Sequence, residues 1–443
     1  MIKSKINILI GAGIFSVLSV NAFAQLSQVD IDKRIELNRK GNLTIKIKNS
    51  NNLPVSNAVV KVTQTQHEFL FGSNLFELND KDNSKTQLDY QNAFKEIFNE
   101  AALPFFWGAY EYNPRQYNTN DVDAKVNWCL KNGIKIMGTP MVYHLVYPYW
   151  APQDPAKAVP EIHYRNEQLI KKYRNNVSHW IMSNELTSAA DHYGNGVSNW
   201  VRRDGAYKVL SNLSSTTKAV CANNGVNSKL IYNDFKLDSS YFTMLANAQK
   251  YGTLPDALGI QSHMQEGNWT TQKVWDACQA VSIFKKPLHF TEMTVVSAET
   301  RKLTLENFLG TVLPWNWVTN PVGEKTQADN VEKYYSVLFS HPSVESITWW
   351  DFSDKNAWMG APSGLLRKDM SRKPAYDRLK SLIKGKWWTN LQTISNTEGT
   401  STSRVFYGKH VVSVSVDGKL VKNFEVLVSK TQNPNVSIEV TVP

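Results

Sequence analysis

The chain has 443 residues, 42 % of them hydrophobic and 20 % charged, with a formal net charge of +10. That is too long for one small domain, and too apolar for a disordered or fibrous chain. The charge is scattered without a long basic run, so nothing supports a nucleic-acid partner.

Residues 1–24 have the form of a secretory leader. Lys3 and Lys5 precede an apolar stretch from Ile8 to Val20, and Ala22-Phe23-Ala24 has the small–x–small pattern of a signal-peptidase site. The stretch is short for a spanning helix and nothing later resembles one. The mature chain is expected to begin at Gln25, to be secreted or periplasmic, and to have no membrane partner. Residues 25–67 hold two alternating apolar–polar runs, Asn42 to Ile47 and Ala58 to Thr65, around the turn Asn51-Asn52-Leu53-Pro54. This predicts a β-hairpin, too small to stand alone.

From residue 68 to 385 the pattern alternates strands with amphipathic helices. Strands are predicted at 69–73, 102–107, 134–143, 180–185, 230–234, 257–263, 288–292 and 347–351. Helical patterns fall between most of them, among them 87–98, 121–132, 203–222, 271–283 and 330–339. Eight such units predict an α/β fold of the (β/α)8 TIM barrel type. Residues 386–443 turn polar and strand-like again, with strands at 405–407, 411–416, 424–429 and 436–442 and a hairpin signal at Asp417-Gly418. The N-terminal hairpin and this tail together are expected to form a small accessory β-sandwich, since each part alone is too short to bury a face.

Cys129, Cys221 and Cys278 lie far apart and form no CxxC, so free buried thiols are expected rather than a zinc site, although an oxidising compartment would permit one bridge. No dinucleotide fingerprint or metal-ligand spacing occurs, so no cofactor and no metal is expected. The 14 tryptophans and 18 tyrosines suit a carbohydrate binder, because sugar rings stack C–H faces on aromatic planes. Filling a large core explains most of them equally well.

Two glutamates close short apolar runs. One run is His179-Trp180-Ile181-Met182-Ser183-Asn184-Glu185, the other Pro287-Leu288-His289-Phe290-Thr291-Glu292. A carboxylate at the end of a core strand needs a partner or a reaction to hold it there. Two of them at barrel strand ends suggest an acid/base pair, with Glu185 protonating a leaving oxygen and Glu292 attacking an anomeric carbon. Each has a bland counterpart, a helix cap for Asn184-Glu185 and a strand-end salt bridge for Glu292. Gln261-Ser262-His263 ends the sixth strand, and alternation points Gln261 and His263 the same way. Asn233 ends the fifth strand, His144 follows the third, and Trp350 and Trp358 follow the eighth.

These pieces together resemble glycoside hydrolase family 10, the endo-β-1,4-xylanase family. The resemblance runs over roughly 69–382. It rests on Phe71-Gly72, Asn184-Glu185, Tyr232-Asn233-Asp234, Gln261-Ser262-His263, Thr291-Glu292, Trp350 with Asp354, and Lys373-Pro374-Ala375-Tyr376. It implies a retaining reaction on a β-linked polysaccharide or oligosaccharide, with Glu185 as acid/base and Glu292 as nucleophile. His263, Asn184 and Asn233 would support the pair. His144, Gln261, Trp350 and Trp358 would line the sugar site, and the protein would act as a monomer.

Two departures stand out. Where the family carries Glu-Asn and then Lys-Trp after the second strand, this chain reads Ala101-Ala102-Leu103-Pro104-Phe105-Phe106-Trp107, so only Trp107 aligns. The Gly-His-Thr-Leu-Val-Trp-His pattern becomes Gly138-Thr139-Pro140-Met141-Val142-Tyr143-His144. Loss of groups that bond sugar hydroxyls changes specificity. A long stretch, 295–329, is expected to fold over the barrel mouth and add Trp315 and Trp317 to its wall. Two other readings stay open: a non-catalytic carbohydrate-binding barrel, and a barrel acting on phosphorylated metabolites, which lacks a glycine-rich phosphate loop.

Overall fold

The computed structural model describes residues 26–192, 194–302 and 317–443, so the expected leader and Trp315 lie outside the described residues. The N-terminal strands are β1 (Lys40–Lys48) and β2 (Val59–His67). The central strands are β3 (Leu70–Asn74), β4 (Glu100–Pro104), β5 (Lys135–Thr139), β6 (His179–Asn184), β7 (Lys229–Asp234), β8 (Ala257–Ile260), β9 (Leu288–Met293) and β10 (Val344–Trp349). Among the described residues these eight run parallel and pair in sequence order, with β10 against β3. Parallel pairing of β6 with β7, Lys229 opposite His179, closes the cylinder. Helices such as Lys85–Ile97, Asn120–Lys131, Pro155–Tyr173 and Pro321–Ser340 wrap it. The barrel strands read as apolar runs because both faces are covered. All residues of β9 are buried, for example. Among the described residues no helix is long and apolar enough to cross a membrane. Cys129, Cys221 and Cys278 are free and buried.

The tail adds β11 (Asn390–Ile394), β12 (Thr400–Phe406), β13 (Gly408–Val416), β14 (Lys419–Val428) and β15 (Asn435–Thr441). Two sheets result, one of order β12-β1-β15 and one of order β11-β2-β13-β14. This is the accessory sandwich, with one correction to the expected hairpin. β1 and β2 do not pair with each other; each joins a different sheet and takes its partners from the tail. The alternating pattern carries the reason. Leu43, Ile45 and Ile47 of β1 face Val60 and Val62 of β2 across the sandwich core instead of lying beside them. The predicted turn between β13 and β14 is present, with Asp417 and Gly418 both at positive φ, 49° and 76°. Such a two-residue turn matches the strand twist.

A helix at Gln28–Arg39, not foreseen from the sequence, precedes β1. Ser27 caps it, and Ile31 and Ile35 sit in the barrel's hydrophobic cluster. Arg39 at its end is buried and donates to the carbonyls of Phe339, His341 and Val344. Burial lowers its pKa to about 9.

The sandwich core makes one expectation concrete. Ile45 is 1 % exposed. Ile45→Ala is expected to cost about 2–5 kcal/mol of local stability. Amide hydrogen exchange should then speed up together in β1 and β15, while the barrel strands keep their protection.

Candidate functional site

A cleft of about 1320 Å³ opens at the C-terminal ends of the barrel strands, and both Glu185 and Glu292 line it. Glu185 follows β6 directly. Its φ of 54° is left-handed, an uncommon conformation for a side chain of this size. Its N–H donates to the Asn233 carbonyl at 2.9 Å, which holds the kink. On a strand, neighbouring side chains point to opposite faces. The kink breaks that alternation, so Asn184 and Glu185 both reach the cleft. Ser262 has a similar kink, at φ 58°, and lines the cleft together with Gln261 and His263.

The two oxygens of Glu185 have different surroundings. Oε1 accepts from Gln261 Nε2 at 2.8 Å and from Asn184 Nδ2 at 3.1 Å. Oε2 accepts from the Tyr143 hydroxyl at 3.0 Å. Burial raises the Glu185 pKa to about 7. The Gln261 hydrogen bond opposes this, the charges of Glu292 and Asp234 add to it, and the Tyr143 hydrogen bond opposes it. Burial, reinforced by the neighbouring Glu185 charge, also pushes the Tyr143 phenol well above its ordinary value. Tyr143→Phe deletes a donor to the charged form of Glu185, so the carboxyl should titrate higher by about one unit. Infrared difference titration of the carboxyl band reads this; an unmoved band would remove Tyr143 from the account.

Glu292 lies near the end of β9. Its Oε1 accepts from Asn233 Nδ2 at 2.6 Å, and its Oε2 lies 3.0 Å from His263 Nε2. His263 Nδ1 is 2.9 Å from Thr294 Oγ1, which fixes the ring. Asn233 also donates to Asn184 Oδ1 at 2.7 Å, and Thr291 Oγ1 donates to Asn233 Oδ1 at 2.5 Å. A continuous chain Glu292–Asn233–Asn184–Glu185 therefore ties the two carboxyls together. It needs space beside Asn233: a Cβ on Gly259 would sit 2.6 Å from Asn233 Oδ1.

Trp350 and Trp358 line the cleft, as the sequence predicts. Trp358 packs on His263 with ring centroids 4.5 Å apart, and its backbone N–H donates to Asp351 Oδ1 at 3.0 Å. Asp351 is buried, which raises its pKa to about 6. Below this loop, the buried Lys373 bonds Asp354 at 2.8 Å and Ser297 at 2.9 Å.

Three predicted contacts move. His144 is 2 % exposed and does not line the cleft. Among the described residues its ring nitrogens have no hydrogen-bond partner, its ring lies 4.5 Å from that of His192, and burial lowers its pKa to about 3. Tyr143 takes the cleft position instead. Trp107 is 3 % exposed, because it opens a helical turn, Trp107–Tyr110, and its indole donates to Glu111 at 2.8 Å. Phe106 faces the cleft in its place. Trp317 is 5 % exposed, packed with Val296 and Ala361, and donates to the Glu299 carbonyl at 2.9 Å.

The cleft also has aromatic residues that sequence reasoning missed: Phe76, Phe106, Phe235 and Trp269. Phe76 stands edge-on to both Phe106, at 6.4 Å, and Trp350, at 5.5 Å. Among the described residues no group of three His, Cys, Asp or Glu side chains converges as a metal site.

Comparison with known proteins agrees with this architecture. Residues 61–382 match the family described as Glycosyl hydrolase family 10. The chain is 23 % identical over 417 residues to anti-sigma-I factor RsgI6 of Acetivibrio thermocellus, covering 89 % of this chain and 47 % of that one. It is 22 % identical to endo-1,4-beta-xylanase 3 of Arabidopsis thaliana, over 83 % of this chain and 45 % of that one. It thus spans about half the length of these two relatives. Against endo-1,4-beta-xylanase B of Thermotoga neapolitana the identity is 22 %, over 72 % of this chain and 88 % of that one. In fold it is similar to xylanase 10B of Thermotoga petrophila RKU-1 in complex with xylobiose. The TM-score is 0.59 at 18 % identity, covering 72 % of this chain and 95 % of that one. A GH10 endoxylanase from a sugarcane soil metagenome gives a TM-score of 0.60 at 17 % identity, over 71 % and 97 %.

Proposed function

The chain belongs to glycosyl hydrolase family 10, and from that premise we propose that it cleaves a β-linked polysaccharide of the xylan type, with retention of anomeric configuration. The observation that carries the reading is the hydrogen-bonded chain from Glu185 through Asn184 and Asn233 to Glu292 within one open cleft. Glu292 attacks the anomeric carbon while Glu185 gives a proton to the leaving oxygen. The glycosyl–enzyme ester is then hydrolysed by a water that Glu185 deprotonates. Esterification removes the Glu292 charge, one of the causes that hold the Glu185 pKa up. Glu185 then becomes a stronger acid, and its conjugate base is available to take the water's proton. Asn233 and His263 position the nucleophile, and Gln261 and Tyr143 position the acid.

Residues 1–24 are proposed as a secretory leader, 68–385 as the catalytic barrel, and 25–67 with 386–443 as the accessory domain. The xylan-type substrate is supported by the family and by the names of the relatives. A non-xylan β-glycan is the second reading, because Phe106 lines the cleft in the segment that lacks the family's Glu-Asn pair and lysine. Incubation with xylan and a panel of defined β-linked oligosaccharides, with products identified and the first-formed anomer read by NMR, tests the proposal. The expected result is reducing-end release with the starting anomer retained. Failure to cleave any β-glycan would end it.

A further inference from the structure

Outside the cleft, the barrel rim carries a feature that the proposed chemistry does not use. A short antiparallel pair, Glu111–Asn113 with Gln116–Tyr117, follows the helical turn at Trp107. It is firmly anchored from below. Glu111 is fully buried and accepts from the Trp107 indole at 2.8 Å and from the Arg115 N–H at 2.7 Å. The Trp150 indole donates to the Glu111 carbonyl at 3.0 Å. The segment 143–150 therefore runs from the cleft wall, where Tyr143, Leu145 and Val146 lie, out to this hairpin.

Two tyrosines emerge from that base side by side. Tyr112 is 65 % exposed and Tyr149 is 73 % exposed. Their ring centroids are 5.6 Å apart and their planes meet at 60°. Tyr149 is pinned, its hydroxyl donating to Asn113 Oδ1 at 3.0 Å, and Asn113 in turn donates to Gln116 Oε1 at 3.2 Å. Aromatic rings contribute most when buried, so a pinned pair left in water on a rigid base marks a contact surface.

We propose that Tyr112 and Tyr149 form a non-catalytic binding site for a twisted β-linked polysaccharide chain, next to the cleft that would cut it. A pyranose ring lays its C–H face on an aromatic plane. In a flat two-fold ribbon, successive sugar rings are parallel and call for coplanar aromatics. In a three-fold chain of the xylan type, each ring turns by a third of a revolution from the last. Taken as planes, such neighbours meet at the 60° angle seen between the two tyrosines. The rim position, continuous with the cleft wall, fits a longer stretch of the same polymer. In naming that polymer the inference rests on the functional reading above.

The test uses the full chain with Glu292→Ala, so that polymer is bound and not cut. Binding to soluble xylan and to insoluble cellulose is measured with and without Tyr112→Ala plus Tyr149→Ala. The expected result is a loss of xylan affinity of about tenfold in the double variant, with little change toward cellulose. Melting temperature, expected to be unchanged, checks that the double variant folds. With Glu292 intact, the double variant should also lose xylan turnover relative to turnover of an aryl β-xyloside. Unchanged xylan affinity, an equal loss toward the flat cellulose ribbon, or dispersal of a dimer by the double substitution would each overturn the inference. Absence of xylan cleavage by the chain with Glu292 intact would instead count against the functional reading, and the binding measurements stand apart from it.

Discussion

Glu292→Ala is expected to lower turnover by roughly 10⁶-fold, the scale on which removal of a covalent nucleophile acts. The shortened side chain leaves the Asn233 amide and the His263 ring without their carboxylate acceptor. It also opens space below the sugar. A small anion such as azide can enter that space and attack the anomeric carbon from the nucleophile's face. The product would be a glycosyl azide of inverted configuration, because only one displacement takes place. Steady-state kinetics with and without azide, and NMR of the product, read both outcomes. Turnover kept within tenfold of the parent would remove Glu292 from the chemistry.

Glu185→Ala should behave differently, and the difference separates the two roles. Loss of a general acid typically costs 10²–10⁴-fold. Here that loss should depend on the leaving group. A substrate with an acidic phenol needs no proton on departure, so its first step survives; a sugar leaving group needs one and suffers fully. The pH profile gives a second check. In the proposed mechanism Glu185 acts first as an acid, so it must be protonated, and its pKa is raised to about 7. Activity of the parent, as kcat/KM, should fall as pH rises through about 7. In Glu185→Ala that basic limb should vanish for the activated substrate. A basic limb that survives unchanged would assign it to another group.

The barrel and the pair of glutamates were legible because burial on both faces leaves a plain record: a short apolar run with one carboxyl at its end. What failed was counting past strand ends. The third strand was expected to run to Tyr143, but β5 ends at Thr139, and Pro140 interrupts the pairing before Val142 and Tyr143 rejoin β6. Proline lacks the ladder donor, so the alternation restarts beyond it. That restart puts Tyr143, not His144, beside Glu185. The apolar run of the second strand likewise continues to Trp107, but β4 stops at Pro104. The helical turn that follows carries Trp107 inward to Glu111 and leaves Phe106 at the cleft. Trp317 could not be placed from sequence, since nothing local states that its indole meets the Glu299 carbonyl. The helix Gln28–Arg39 was missed for another reason: Val29 and Leu37 are exposed, which blurs the apolar stripe of Ile31 and Ile35.

The interlacing of the chain's two ends has a consequence for synthesis. β1 lies between β12 and β15, with Asn42 opposite Asn435 and Lys48 opposite Thr441. During translation these early residues wait for one neighbour until residues 400–406 have been made and for the other until 435–441. The barrel, complete by about residue 382, can close well before then. The accessory layer thus acts as a seal set only once the tail strands have emerged, and a product that stops short of them would carry a bare N-terminal strand that quality-control proteases can seize.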